Sequence, residues 1–142
     1  MGARTAGREA ALQMLFAADV TSAPPAELVR SYWRETPGDA EGRPYSEQLV
    51  RDVLAERETL DRAISAASDH WRIDRMTRVD RNVLRLGAWE LLHDRETPAE
   101  VVLDEAVELA KRYGTEGSGA FVNGVLARLA ADAGRAVTRP SG

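Results

Sequence analysis

Arginines beside two tryptophans form the part of this sequence best suited to bind a ligand. Residues 71–85 hold five arginines and two aspartates, a local charge of +3 within a chain of net charge −4. At about 100° per residue, these side chains fall on, or just before, one side of a predicted helix. We name them the basic/aromatic face: Arg72, Arg75, Arg78, Arg81, Arg85 and Trp89. Guanidinium groups bind phosphates and aromatic rings stack on bases, so this face suits single-stranded nucleic acid.

The alternative is a solvated helix face whose arginines pair with acids on neighbouring helices, and periodicity alone favours it. Glu90 falls near the middle of the apolar stripe of the same helix, where an unpaired carboxylate would be costly. No histidine, cysteine or second acid stands at a useful spacing from it. We therefore interpret Glu90 as part of a structural ion pair rather than as a general acid or base.

Two further groups could bind phosphate. Arg4 and Arg8 share one face of the first predicted helix and could clamp phosphates, although a solvated N-terminus explains them equally well. Phe121 stands at the start of the last predicted helix, where free amides attract phosphate and a ring could stack on a base, or it is a core residue at the rim. Gly124, inside that helix, costs about 1 kcal/mol relative to alanine and suggests close helix contact or ligand approach.

Several kinds of chemistry are unsupported by the residues. The chain has no cysteine, which excludes disulfides and thiolate sites, and its two histidines, His70 and His93, stand far apart without a metal-ligand pattern. The glycine-rich stretch 114–119 lacks the Lys-Ser/Thr of a phosphate-binding loop and follows a predicted helix rather than a strand. We therefore expect no enzymatic activity, no metal and no cofactor.

Composition indicates a folded protein, with 44% hydrophobic and 30% charged residues. No apolar run approaches the roughly 20 residues that span a bilayer, and the N-terminus lacks the apolar stretch of a signal peptide. We therefore expect a cytoplasmic protein. Its net negative charge argues against indiscriminate coating of nucleic acid but leaves room for a local basic face.

Helical spacing runs through the whole chain and predicts about seven helices. The first spans roughly 3–20, with Phe16 widening its apolar stripe, and a short second helix follows Pro24-Pro25. A surface loop over 36–44 precedes a long helical pattern over 45–70, with a break near Glu58-Thr59. Helices over about 79–93, 97–113 and from 118 complete the set. We expect one domain over residues 1–133 and a disordered tail over 134–142.

Residues that commonly start or stop helices predict the ends of the last two helices. Thr97, Pro98 and Glu100 have the spacing of a capping box at the start of the sixth helix. Gly114 is a predicted helix stop, and Ser118 is a predicted cap of the seventh helix.

Taken together, these strings resemble the NusB family of bacterial transcription antitermination factors over about residues 4–131. The residues that carry the resemblance are Arg8-Glu9-Ala10-Ala11-Leu12-Gln13-Met14-Leu15-Phe16, Trp71, Arg75-Met76 through Arg85-Leu86, Trp89-Glu90-Leu91, the stretch Asp104 to Gly114, and Ser118 with Phe121-Val122-Asn123-Gly124-Val125-Leu126.

The resemblance implies an all-α fold, a single domain of about seven helices in two packed helical bundles. It implies binding to boxA RNA together with NusE, a small-subunit ribosomal protein. That pair joins the RNA polymerase antitermination complex and promotes processive transcription of ribosomal RNA operons. Some members of the family form homodimers, and the sequence does not decide between monomer and homodimer.

The resemblance also implies the RNA contacts. They are Arg4, Arg8, Gln13, Phe16, Asp80 and Phe121, with Lys111 and Ser118 nearby. Where the family often has a run of arginines, this chain has Thr5, Ala6 and Gly7. Fewer phosphate contacts lower affinity, so we predict weak RNA binding alone and tighter binding with NusE.

Two other readings use the same fold. A related helical domain precedes some RNA cytosine methyltransferases, but no cofactor-binding domain follows here. The second is a protein-interaction module or homodimer without significant RNA binding of its own.

Overall fold

The computed structural model describes residues 2–36 and 40–135, and every regular element in those ranges is helical. The seven α-helices are α1 Ala3–Ala18, α2 Pro25–Glu35, α3 Arg43–Ala55, α4 Arg57–Ala67, α5 Arg78–His93, α6 Ala99–Tyr113 and α7 Ser118–Asp132. Short 3₁₀ turns, Ala40–Gly42 and Ile73–Arg75, precede α3 and α5. The prediction of an all-α fold with about seven helices is confirmed. No helix in the described ranges has the length and apolar character needed to cross a bilayer.

The helix ends differ from the predictions in detail. α1 ends at Ala18 rather than near residue 20, and the long pattern breaks at Glu56, two residues before the predicted position. Part of the predicted loop over 36–44 is a 3₁₀ turn followed by the start of α3, and its residues 37–39 lie outside the described residues.

The residue before α6 is Pro98, whose side chain makes no cap. The predicted capping box of Thr97 and Glu100 stays a prediction. The hydroxyl of Thr97 donates to Asp94 Oδ2 at 2.9 Å, and Asp94 Oδ1 accepts from the amides of Glu96 and Thr97. Asp94 therefore organises the turn between α5 and α6.

The chain divides into two compact units, Met1–Arg57 and Glu58–Gly142. In the first unit, α1 packs along α3 and against the 3₁₀ turn Ala40–Gly42, and α2 contacts both helices. The core consists of fully buried apolar side chains, among them Leu12, Met14, Leu15, Leu49, Val50 and Val53. Phe16 is exposed, so the prediction that it widens the apolar stripe of α1 is wrong. The predicted single domain over residues 1–133 stays a prediction.

Glycines bring two backbones together in the first unit. A Cβ added to Gly42 would lie 2.7 Å from the amide nitrogen of Gly7 and 2.8 Å from the carbonyl carbon of Ala6. A Cβ added to Gly7 would lie 3.0 Å from the carbonyl oxygen of Gly42. The N-terminal half of α1 therefore touches the 3₁₀ turn backbone to backbone. This contact leaves little room for a side chain at Gly7 or Gly42.

In the second unit, α5, α6 and α7 pack against one another. Every residue of α5 from Asn82 to Leu91 is buried. Gly87 of α5 faces the fully buried Leu126 of α7, and an added Cβ would lie 2.5 Å from Leu126 Cδ1. The predicted stripe of α7, namely Val122, Val125, Leu126 and Leu129, is buried and forms part of this core. These contacts place α7 directly against α5.

Arg135 closes the second unit after α7. Its guanidinium donates to the carbonyl oxygens of Leu91 at 2.8 Å and of Thr97 at 2.6 Å, with longer bonds to those of Glu90 and Asp94. These carbonyls lie at or just beyond the end of α5, where the last turn of a helix leaves acceptors unsatisfied. Gly134 and Arg135, predicted as the start of a disordered tail, belong to the folded part, and residues 136–142 lie outside the described residues.

Replacing Gly42 with alanine tests the backbone contact in the first unit. We expect Gly42→Ala to lower the free energy of unfolding by about 1–3 kcal/mol, because the atoms in the way are backbone atoms of α1. Urea denaturation followed by circular dichroism measures the change. Gly124→Ala is the matched control: its Cβ meets nothing within 4 Å, so helix propensity should stabilise the protein by up to about 1 kcal/mol. Equal effects of the two substitutions would contradict the proposed contact.

Candidate nucleic-acid interface

The predicted basic/aromatic face of α5 is wrong at two of its six positions. Arg85 is buried, and its Nε and Nη2 donate to Asp61 Oδ1 and Oδ2 at 2.8 and 3.0 Å, while Nη1 donates to Asn82 Oδ1 at 3.2 Å. Trp89 is only 5% exposed and lies beside the ring of His93. Because α5 packs against both α6 and α7, and Asp61 of α4 reaches Arg85, this helix has little free surface for a ligand.

The remaining arginines of that face are more exposed. Arg72 makes a surface ion pair with Asp74 at 2.7 Å, while Arg75 and Arg78 are exposed and Arg81 is half-buried. The alternative of arginines paired with acids on neighbouring helices is correct in its pairing for Arg85, which meets Asp61 of α4 from a buried position. Arg72 pairs instead with Asp74 of its own turn. The burial of Arg85 and Trp89 divides the predicted face, so it does not form one continuous ligand surface.

The turn between α6 and α7 shows why a glycine ends α6. Gly114 follows the last residue of α6, as predicted, and a Cβ there would lie 2.5 Å from Ser118 Oγ and 2.6 Å from the carbonyl oxygen of Ala110. Ser118 Oγ accepts the amide of Thr115 at 3.0 Å. Ser118 is the first residue of α7 and is 1% exposed, so the prediction that it caps the helix is wrong. It fixes the turn that starts α7.

Lys111 and Phe121 lie around the first turn of α7. A Cβ added to Gly119 would lie 3.2 Å from Lys111 Cγ and 3.4 Å from Lys111 Cε, so the lysine stem crosses the helix start. Lys111 is exposed and Phe121 is half-buried. The residue before α7 is Gly117, which has no side chain to cap the helix, and the amide of Ser118 donates to the carbonyl oxygen of Thr115 at 3.0 Å. The positive end of a helix favours an anion. The start of α7 therefore combines a cation, the positive end of a helix and an aromatic ring.

The structure adds an aromatic residue to this group that residue spacing did not select. The ring of Trp71 lies 5.9 Å from that of Phe121, at an interplanar angle of 61°. Trp71 lies before α5, outside any predicted helix. Helical spacing therefore could not relate it to Phe121, which comes 50 positions later in α7. Only the packing of the turn after α4 against α7 brings the rings together.

In the first unit, two arginines of α1 lie around one tyrosine of α3. The guanidinium carbons of Arg4 and Arg8 lie 4.9 and 5.7 Å from the centre of the Tyr45 ring, within cation–π range. Arg4 is half-buried, whereas Arg8 is only 4% exposed. Arg8 therefore does not reach out as the predicted phosphate clamp would. Tyr45 was not selected from the sequence, because its partners lie on another helix.

The other predicted contacts of α1 are on its surface. Gln13 and Phe16 are three residues apart, so they share a helix face, and both are exposed. Tyr32 of α2 is half-buried, and burial, followed by the negative charge of Glu9 on α1, raises the pKa of the Tyr32 hydroxyl above its ordinary value. The surface of α1 thus carries an amide and an aromatic ring that a ligand can reach.

Two acids of α5 are buried. The amide of Asp80 donates to Thr77 Oγ1 at 3.1 Å, and the Asp80 carboxylate lies in the first turn, where negative charge stabilises a helix. Asp80 Oδ1 is buried and accepts no hydrogen bond from the described residues. Glu90 is 1% exposed, and the prediction that it forms a structural ion pair stays a prediction.

Gly124 lies on the exposed surface of α7. Nothing lies within 4 Å of a Cβ built there, so the predicted alternative of close helix–helix contact is wrong. The other alternative, approach of a ligand, is compatible with this open space.

The chain matches known proteins over nearly its whole length. The NusB family model matches residues 5–131. A transcription antitermination protein NusB of Sorangium cellulosum is 60% identical, covering 95% of this chain and 96% of that protein. Its counterpart in Geobacter sulfurreducens is 47% identical, covering 92% of this chain and 95% of that protein.

Solved structures agree in fold. The NusB of T. maritima matches with a TM-score of 0.83 at 37% identity, and 91% of each chain is covered. A crystal structure of the antitermination factors NusB and NusE in complex with dsRNA contains a chain that matches with a TM-score of 0.83 at 31% identity. The match covers 93% of this chain and 98% of that one.

The two arginines at Tyr45 should differ in what they contribute to stability. We expect Arg8→Ala to lower the free energy of unfolding by about 1–3 kcal/mol, because it removes a buried side chain and its cation–π contact. Arg4→Ala should cost well under half as much, since water already reaches that guanidinium. Urea denaturation of both variants makes the comparison, and a larger loss in Arg4→Ala would contradict the stabilising role of the buried Arg8.

The Arg85–Asp61 ion pair should be structural. Asp61→Asn leaves a buried guanidinium without its counter-charge, and we expect the free energy of unfolding to fall by about 1–3 kcal/mol. The loss is below that for a fully buried pair because the Asp61 side chain is 26% exposed. Asp74→Asn, which breaks the exposed pair with Arg72, is the control and should change stability by less than about 0.5 kcal/mol. Thermal denaturation of both variants tests this difference.

Proposed function

Because this chain belongs to the NusB family of transcription antitermination proteins, we propose that it binds boxA RNA together with NusE and promotes processive transcription of ribosomal RNA operons. One observation carries this proposal. The chain matches, at 31% identity and over 93% of its length, a chain from the solved complex of NusB and NusE with dsRNA. The described residues add two sets of side chains, one in each unit, whose chemistry suits RNA.

The set in the second unit surrounds the start of α7. Lys111 supplies a cation for a phosphate, the positive end of α7 favours its negative charge, and Phe121 supplies a ring on which a base can stack. Ser118 contributes by holding the turn that positions them, since its hydroxyl is buried. This arrangement recognises a phosphate and an adjacent unpaired base.

Asp80 in the same unit would recognise a donor rather than a phosphate. Its buried Oδ1 accepts no hydrogen bond from the described residues, and a buried acceptor without a donor is costly. A base amino group or a ribose hydroxyl would satisfy it once the side chains that cover this oxygen move aside. The carboxylate would also repel phosphate, so Asp80 favours contact with the base or sugar.

The set in the first unit comprises Arg4, Gln13 and Phe16, with Arg8 beside Arg4 at the Tyr45 ring as a positioning residue. Arg4 retains exposure while it lies over Tyr45, so its guanidinium can meet a phosphate without losing that support. Arg8 fills the space on the same ring from a buried position. With only these arginines near the start of α1, we expect weak RNA affinity alone and higher affinity with NusE.

The wider assembly follows from the same proposal. We infer that the chain acts in the cytoplasm, as a non-enzymatic component of the RNA polymerase antitermination complex. We infer also that a homodimer is an alternative state of the free protein, which size-exclusion chromatography with light scattering would detect.

The central test is fluorescence-anisotropy titration of labelled boxA RNA and of a scrambled RNA, with and without equimolar NusE, at two salt concentrations. We expect selective binding to boxA that tightens with NusE. Phe121→Ala should weaken binding about 5- to 100-fold through lost stacking. Arg4→Ala should reduce the salt slope by about 0.7 for a lost single-strand phosphate contact.

Arg30→Ala on α2 is the control for Arg4→Ala, because it removes an exposed arginine of the same unit from outside the proposed contacts. It should leave both affinity and salt slope unchanged. Equal affinity for boxA and scrambled RNA in both conditions would reject the proposed function.

A further inference from the structure

Trp71 exposes an unusually large aromatic surface for a tryptophan in a folded protein. The residue is 56% exposed, although tryptophan is ordinarily well buried. The contact with Phe121 is edge-on, at 61°, so the two rings do not cover each other face to face. Aromatic surface therefore remains open beside a residue already proposed to contact RNA.

The turn that carries Trp71 is held in an unfavourable backbone conformation. Asp69 and His70 have φ of 56° and 64°, in the left-handed region that residues other than glycine rarely adopt. The amide of His70 donates to the carbonyl of Ser65 at 2.7 Å, and that of Trp71 donates to the carbonyl of Ser68 at 3.3 Å. Two consecutive residues in this region persist only where surrounding contacts fix them.

One face of α7 supplies further contacts. Arg128 Nη1 donates to Asp69 Oδ1 at 2.9 Å, and Phe121 meets Trp71. Phe121 and Arg128 are seven residues apart, which places them on the same side of the helix. The turn therefore contacts α7 at two points, an exposed ion pair and the contact between the two rings.

Gly124 lies between these two points on the same side of α7. Nothing lies within 4 Å of a Cβ built there, so packing does not require the glycine. A glycine inside a helix makes the helix less stable than an alanine would. Because glycine has no side chain, it also lets another molecule approach the backbone. We call this part of α7, which carries no side chain, the bare surface at Gly124. It lies about one helical turn from Phe121.

We propose that the open face of Trp71, supported edge-on by Phe121 and next to the bare surface at Gly124, forms an aromatic platform on which an unpaired base of the bound RNA stacks. Every base has an aromatic face, so the platform would add affinity with little dependence on which base it holds. The flat surface at Gly124 gives the nucleotide room to lie against α7. This inference rests on the proposed function and adds Trp71 to the RNA-contacting residues.

A structural role for Trp71 predicts different behaviour. If the indole only covers apolar surface and ties the turn to α7, then leucine and phenylalanine should replace it about equally well. If it stacks on a base, an aromatic ring is required and bulk alone is insufficient. Trp71→Phe and Trp71→Leu therefore separate the two roles.

The experiment measures the affinity of labelled boxA RNA for the full chain with NusE. We expect Trp71→Phe to bind within about threefold of the parent and Trp71→Leu to bind about 5- to 100-fold more weakly. Val101→Ala, which trims an exposed apolar side chain of α6, is the control and should bind like the parent. Circular dichroism melting establishes that each variant is folded.

Gly124→Gln provides an independent test, because it adds a side chain in open space without touching either ring. We expect an unchanged or higher melting temperature together with weaker RNA binding. Ala131→Gln, at an exposed position near the end of the same helix, is the matched control and should leave affinity unchanged. Equal affinity of Gly124→Gln and Ala131→Gln would remove the bare surface from the proposal.

A series of boxA RNAs, each lacking one base, identifies the stacked nucleotide. At one position, removal of the base should abolish the difference between the parent and Trp71→Leu. A difference that persists at every position would overturn stacking, as would equal affinities of parent and Trp71→Leu on intact RNA. Absence of boxA binding by the parent would instead overturn the proposed function, and the platform with it.

Discussion

Close approach of backbones at glycine is the constraint on which both units depend. In the first unit, Gly7 and Gly42 allow α1 to touch the 3₁₀ turn before α3, and this places Arg4 and Arg8 over Tyr45. In the second unit, Gly114 makes room for Ser118, whose hydroxyl fixes the turn that starts α7. A side chain at these positions would collide with atoms that have little freedom to move. The packing at these glycines thus positions the side chains that we propose as RNA contacts.

Burial of charge determines which of the many arginines remain available to a ligand. Arg85 lies in the interior because Asp61 and Asn82 satisfy its guanidinium there, and a buried charge is tolerated only with such partners. Arg135 is occupied by carbonyls around the end of α5. The local positive charge read from the sequence is therefore partly internal. The side chains that we propose as RNA contacts lie instead at the start of α7 and along α1.

Rigidity distinguishes the proposed aromatic platform from an ordinary exposed side chain. The turn before Trp71 combines left-handed residues with hydrogen bonds back to α4 and an ion pair to α7. A ring that is already held in place loses less conformational freedom when a base stacks on it. The same logic applies to Phe121 at the first turn of a helix, where the backbone is fixed on one side.

The sequence by itself determined the all-α fold, the approximate helix positions and the family, because helical periodicity and contiguous strings are local properties of a chain. It also supplied, as an alternative, the pairing of Arg85 with an acid on a neighbouring helix. Tertiary structure alone decided that Trp89, Ser118 and Arg8 are buried, that Thr97 serves Asp94, and that Trp71 meets Phe121. The physical reason is that burial and long-range pairing depend on which helix covers which face. That choice is made by packing among residues far apart in sequence, and no local spacing records it.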